Sequence, residues 1–252
     1  MIVNNSKATK LKLDLTYSRI TIKPSQDNDF RLIANREKEF SFSEEGSTLV
    51  LSQRKRSLAS YIVPVLSWRL PTKTELYIPA DFNGSITFTN KNGWVMINNL
   101  NLTDLELSNR NGKAILTDIK AQTINAVINN GKILPNKIKA ENLKLKSKNG
   151  KIKGENITAP ITEVNTSNGK IVIMNLNSDK VALSAHNGKI VASITGEEKD
   201  YAMDIKTHNG KSIIAGKVNT GSFIYRDKEK SKQITAATKN GKVALTFLNK
   251  TE

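Results

Sequence analysis

Between residues 92 and 188 the pattern of apolar and polar positions repeats every 19 residues. The marker of the period is Asn-Gly, at Asn92-Gly93, Asn111-Gly112, Asn130-Gly131, Asn149-Gly150, Asn168-Gly169 and Asn187-Gly188. Two wider intervals, of 22 and 31 residues, lead to Asn209-Gly210 and Asn240-Gly241. Counted from each Asn, position 4 is usually β-branched (Val95, Ile133, Ile152, Ile171, Ile190, Val243). Position 9 is apolar in all five regular copies (Leu100, Ile119, Ile138, Ile157, Leu176). Positions 14 and 16 are mostly apolar, as in Leu105/Leu107, Leu143/Leu145 and Val181/Leu183, and position 18 tends to be small or hydroxylated (Ser147, Thr166, Ala185, Thr207, Thr238). Each repeat therefore holds two short alternating segments, long enough for a strand each, with Asn-Gly as a turn that tolerates positive φ. An antiparallel meander would place its second turn near position 9 and leave it solvated. Apolar residues there predict a corner pointing into a core. The expected fold is all-β: a single elongated β-solenoid with about 19 residues per coil, about eight coils stacking in register into a rod on the order of 40 Å long. Stacked Asn side chains are expected to hydrogen-bond amide to amide between coils.

Residues 1–82 show no Asn-Gly period. Short β-rich runs, LKLDL (11–15), RITI (19–22), FRLIA (30–34), EFSFS (39–43) and TLVLS (48–52), read as an irregular N-terminal β region that caps the first regular coil and continues into it. Residues 83–252 form the Asn-Gly repeat solenoid. Within the first part, 54–73 breaks the pattern: Arg54, Lys55 and Arg56 precede an apolar run containing Tyr61 and Trp68, with Arg69 near its end. Basic residues around an aromatic and aliphatic tip suit docking to a membrane or a partner, and equally a hydrophobic lid over the solenoid end. The two wide intervals absorb charged stretches at 196–200 and 226–232, expected as surface loops, and KVALTFL (242–248) is expected to close the rod.

Charge adds a statement about partners. Lys+Arg number 39 and Asp+Glu 23, a formal net charge of +16. Such a balance attracts polyanions and anionic membrane surfaces at long range. The chain has no Cys, which excludes disulfides, thiolate metal sites and cysteine nucleophiles. The N-terminus carries no secretory signal pattern and no window is apolar enough for a transmembrane helix, so a cytoplasmic or peripherally envelope-associated protein is expected.

The motifs NGKIL, NGKIK and NGKIV (twice), an irregular β start, a Trp-containing loop leading to a strand before Pro79, and NGKVALTFL near the end resemble one known family. It is the bacterial "putative adhesin" family with β-strand repeats, domain of unknown function 4097. The resemblance spans nearly the whole chain. It implies a β-solenoid without known catalytic activity, placed in bacterial envelope biology, with some Gram-positive relatives linked to envelope-stress sensing. It brings no functional residues to transfer.

The leading candidate site is position 3 of the repeats: Lys113, Lys132, Lys151, Lys170, Lys189, Lys211 and Lys242, with Trp94 in the first copy. Stacking makes these a ladder of like charges that an anionic membrane surface or wall polymer would relieve. Lysines splayed into water against aggregation are the plainer alternative. A protein partner is the other expected ligand class; with 6% aromatic residues and no recognisable module, specific nucleic-acid binding is not expected. His186 and His208 each precede an Asn-Gly, and simple stacking predicts them on neighbouring coils, close together; no carboxylate accompanies them, so they read as exposed turn residues rather than metal ligands. Asn209-Gly210-Lys211-Ser212 imitates a phosphate-binding loop but has Ile205 where that motif needs Gly, and a strand pattern where it needs a helix. Glu44/Glu45 and Glu197/Glu198 are adjacent and point apart, unlike the paired carboxylates of glycoside hydrolysis. No cofactor is expected. An enzyme acting on acidic polysaccharide, and a purely structural self-associating protein, remain the alternative classes.

Overall fold

The computed structural model describes residues 1–3, 7–27, 29–54, 72–225, 227 and 230–249. The described residues are all-β and form one open sheet of 18 strands not closed into a barrel. Most pairings are parallel. Residues 19 apart are partners through β7 (Ser85–Asn101), β8 (Asp104–Thr158), β9 (Ile161–Asn168), β10 (Ile171–Asn177) and β11 (Lys180–Asn187): Ile86 pairs with Leu105, Asn142 with Ile161, and Lys180 with Ile161. The period of the sequence is thus the period of the stack, and parallel pairing excludes the meander. Position 9 lies in the core, with Leu100, Ile119, Ile138, Ile157 and Leu176 all buried. Positions 14, 16, 4 and 6 bury with it, so each layer turns its alternate side chains onto one continuous apolar interior.

Two backbone features make the layers bend. The residue before position 9 is left-handed in every regular copy: Asn99, Asp118, Lys137, Asn156 and Asn175 have φ between 53° and 55°. Asn and Asp bear this conformation best, which matches four of the five. The glycine after each repeat Asn is required chiefly by closeness. A Cβ on Gly169 would lie 1.7 Å from the carbonyl oxygen of Gly150, and one on Gly188 1.6 Å from that of Gly169. Only Gly93, Gly112 and Gly131 also need positive φ, at 129° to 147°.

The ends depart from the order of the chain. β2 (Lys10–Pro24) lies on β7, Lys10 pairing with Ser85, and its other side carries β5 (Thr48–Gln53) and β6 (Thr72–Ile78). At the far end, β17 (Lys232–Asn240) and β18 (Val243–Leu248) pair with β11 and with β12 (Ile190–Thr195). On the opposite edge they pair with β13 (Tyr201–Asn209) and β14 (Lys211–Ile214). The first long strand, β2, and the last two, β17 and β18, are therefore threaded inside the stack. The sequence predicts that KVALTFL closes the rod; it does not, because β13 and β14 lie outside it. A strand inserted in this way gains hydrogen bonds on both edges, and at the C-terminal end this holds a segment that would fray if free. The outermost edges are covered by antiparallel strands: β4 (Phe40–Glu45) on β5 and β3 (Phe30–Ala34) on β6, with β1 (Ile2–Val3) on β3; then β15 (Lys217–Thr220) on β14 and β16 (Phe223–Tyr225) on β13. The result is ten parallel layers rather than eight, about 40 Å from first to last at one strand spacing per layer.

Candidate functional site

One long edge of the stack is built by the Asn-Gly corner. The side-chain amide of each repeat Asn donates to the Oδ1 of the Asn in the next layer: Asn111 to Asn92 at 2.7 Å, Asn130 to Asn111 at 2.9 Å, Asn149 to Asn130 at 2.9 Å, Asn168 to Asn149 at 2.9 Å, and Asn187 to Asn168 at 2.8 Å. The ladder then passes to Asn240 at 2.7 Å and from there to Asn209 at 2.8 Å, following the threaded order. Position 18 explains itself behind this corner. Asn109 Nδ2, Thr166 Oγ1 and Thr238 Oγ1 donate to the carbonyls of Gly93, Gly150 and Gly188 at 3.0, 3.3 and 2.9 Å. At the N-terminal end Tyr17 and Ser18 stand where Asn and Gly would, and the Oε1 of Gln53 accepts from Thr16 N, Tyr17 N and Ser18 Oγ, each at 3.0 Å.

Position 3 lies outward beside the Asn ladder. The seven predicted lysines align there in the order Lys113, Lys132, Lys151, Lys170, Lys189, Lys242, Lys211. The register adds two cations that carry no Asn-Gly mark. Arg19 stands opposite both Trp94 and Lys73, so the row runs Lys73, Arg19, Trp94, Lys113 and onward through all ten layers. Trp94 does not interrupt it: the Arg19 guanidinium lies 4.7 Å and the Lys113 ammonium 4.2 Å from the indole centroid, one from each neighbouring layer. Among the described residues, none of the seven lysines forms an ion pair. Neighbouring charges one strand spacing apart repel by about 1 kcal/mol even at the dielectric constant of bulk water. Position 19, on the other flank of the Asn ladder, adds Lys91, Arg110, Lys148 and Lys239. The edge thus presents two cationic rows about a strip of amides, and among the described residues no carboxylate occupies either row.

The register also corrects the placement of the histidines. His186 and His208 are not on neighbouring layers. Lys239 stands between them, because β17 separates β11 from β13. No three His, Cys, Asp or Glu side chains converge on a cation site among the described residues. Lys211 and Ser212 lie on β14, with no helix after them. Glu197 and Asp200 are occupied in capping the short 3-10 turn Glu198–Asp200. Of the basic-aromatic loop, Lys55, Arg56, Tyr61, Trp68 and Arg69 lie outside the described residues; Arg54 is exposed at the end of β5. Among the described residues no helix is long and apolar enough to cross a membrane.

Against known proteins, the profile of the family Toastrack DUF4097 matches residues 8–246. No curated protein matches the chain. Solved structures similar to it include a "putative cell adhesion protein" from Clostridium sporogenes ATCC 15579, at 13% identity over 98% of this chain and 97% of that one, with a TM-score of 0.33. A "putative adhesin" from Bacteroides fragilis NCTC 9343 is 19% identical over 98% and 95%, with a TM-score of 0.47. A "putative lipid binding protein" from Parabacteroides distasonis ATCC 8503 is 11% identical over 98% and 95%, with a TM-score of 0.49.

Proposed function

Because the chain belongs to the Toastrack DUF4097 family, and because its layers align nine cations on one edge, we propose that it is a non-catalytic binding protein for an anionic component of the bacterial envelope. In this reading residues 1–82 and 83–252 are one continuous β-solenoid with 19 residues per coil, peripheral to the envelope and without a cofactor. The observation that carries it is the cation row, in which, among the described residues, only Lys73 has a carboxylate partner, Glu75 at 4.0 Å. A protein that needed only solubility would gain nothing from stacking like charges in register, and the cost of doing so is relieved by a multivalent anion lying along the row. The Asn amides between the two basic rows supply neutral hydrogen-bonding groups at the same spacing.

The test is a quadruple substitution, Lys132→Gln, Lys151→Gln, Lys170→Gln and Lys189→Gln. Binding of a soluble polyanion such as polyglutamate is expected to weaken. The slope of log affinity against log salt is expected to fall by somewhat under one per lysine removed, by analogy with counterion release from charged polymers. Affinity and salt slope equal to those of the unaltered protein would remove the row from the binding surface.

A further inference from the structure

We propose that the anionic component is a lipid bilayer surface, docked flat on the face formed by positions 3, 5 and 7 of the layers; this rests on the cation-row reading above. Strand alternation sends positions 4 and 6 into the core and positions 3, 5 and 7 outward. On a solvated sheet face the middle row should be polar. Here position 5 is aliphatic in most layers: Met96, Ile115, Leu134, Val172, Val191 and Ile213, with register pairs such as Met96 to Ile115 and Val172 to Val191. Each of these is half-buried, so the row is partly open to solvent. Lys153 is the one charged residue within the row, and Glu75 stands at its end. The Glu75 carboxyl is already engaged. The Tyr77 hydroxyl donates to it at 3.0 Å and Lys23 lies 3.4 Å away, and together, Tyr77 first, they hold its pKa below the usual carboxylate range.

The other outward face is different. Its corresponding rows read Glu106, Asn125, Lys144, Glu163 and Ala182, then Ser108, Val127, Lys146, Asn165 and Ser184, with Val127 the one large aliphatic side chain among them. The aliphatic row is therefore a property of one face and not of the composition. It runs parallel to the cation row, two residues away along each strand, or about 7 Å. Within the parallel layers, Trp94 at position 3 and Met174 at position 7 are exposed large apolar residues of this face, at 37% and 38%, and on the covering strands Ile33 opposite Glu75 and Val218 opposite Ile213 are 51% and 60% exposed. A linear polymer would touch the basic corner and leave the aliphatic row in water. A bilayer surface meets both: phosphate headgroups take the lysines and arginine, and the boundary beneath them takes the aliphatic side chains and the indole.

The experiment uses the full chain with vesicles of equimolar phosphatidylglycerol and phosphatidylcholine, vesicles of phosphatidylcholine alone, and soluble polyglutamate. Trp68→Phe leaves Trp94 as the only tryptophan. Binding to the anionic vesicles is expected to bring Trp94 emission to the blue and to expose it to quenching by brominated acyl chains. The triple variant Ile115→Thr, Leu134→Thr and Val172→Thr keeps β-forming residues at all three positions. It is expected to partition onto anionic vesicles about tenfold less or weaker still, since three apolar contacts are removed, and to bind polyglutamate as before. Unquenched Trp94 on bound protein, or equal vesicle binding by the triple variant, overturns the bilayer proposal. So does binding to polyglutamate without binding to vesicles, which leaves the cation-row reading intact. That reading fails separately if the four Lys→Gln changes alter neither ligand.

Discussion

The phenol of Tyr201 is fully buried near the C-terminal end of the stack, where its hydroxyl donates to the carbonyl of Ser178 at 3.0 Å. Burial first, then the carboxylates of Asp179 and Asp200, push its pKa from 10.0 up to about 12. The folded protein therefore keeps this proton over a range in which the unfolded chain loses it. Below about pH 10 the group adds no pH dependence; between about pH 10 and 12 the native state binds more protons than the unfolded one, so stability falls, by about 2–3 kcal/mol in all. Tyr201→Phe should cost about 1 kcal/mol near neutral pH through the lost hydrogen bond and should remove this alkaline decline. Urea unfolding of both proteins near pH 8 and near pH 11 checks it, and parallel declines in the two would assign the alkaline sensitivity elsewhere. Other single residues have meanings that only the stack reveals. The repeat glycines read as turn residues from the sequence, yet most have ordinary φ and are required because successive backbones touch. The left-handed residue sits at position 8, where Asn, Asp and Lys alternate, a signal too mixed to stand out in one sequence.

At the scale of the element, what was legible was whatever the period marked. The 19-residue spacing, the core positions 4, 9, 14 and 16, and the Asn ladder all follow from counting between Asn-Gly pairs. The threading of β2, β17 and β18 does not. β2 bears no Asn-Gly, although Tyr17-Ser18-Arg19-Ile20-Thr21-Ile22 matches Asn168-Gly169-Lys170-Ile171-Val172-Ile173 in its cationic position and in both core positions, with Thr21 in place of Val172. That match was the available signal for Arg19. At the other end, an order in which 232–248 precedes 201–214 in space has no local signature, because each layer presents the same ladder to either neighbour. For this reason counting along the chain puts His186 beside His208, whereas Lys239 stands between them. Register itself is testable. Deleting Asn130–Lys148 removes one whole layer and rejoins Asn129 to Asn149, leaving every side chain on its own face. Deleting Asn129–Lys148 removes one residue more, and either pulls the Asn corner out of line or turns Ile124, Ala126 and Ile128 toward water. The first variant should retain a cooperative thermal transition and a strand-rich circular dichroism spectrum, at the loss of one layer's worth of stability. The second should melt well below it. Equal melting temperatures would mean that register is loosely specified.

Across the whole molecule the charge is not spread evenly. Of a net +16, nine cations share one row and four more flank the Asn ladder from the other side. The core therefore holds together an edge that repels itself, and the balance depends on the solvent. The Debye length falls from about 30 Å at 0.01 M salt to about 8 Å at 0.15 M, so repulsion along a stack of about 40 Å is felt over most of its length in dilute buffer and only between near neighbours at physiological strength. The melting temperature should therefore rise with salt over this range. The four Lys→Gln changes should raise it in dilute buffer and flatten the dependence. A ligand that seats on the row acts in the same direction by mass action: at about 100 times its Kd it should add about 2.7 kcal/mol to the stability of the unaltered protein and much less to that of the variant. Differential scanning calorimetry of both proteins across the salt range, with and without polyglutamate, separates the contributions. A melting temperature indifferent to salt, and alike in the two proteins, would mean that the lysines splay far enough into water to escape one another, and that relief of repulsion is not what draws an anion to this edge.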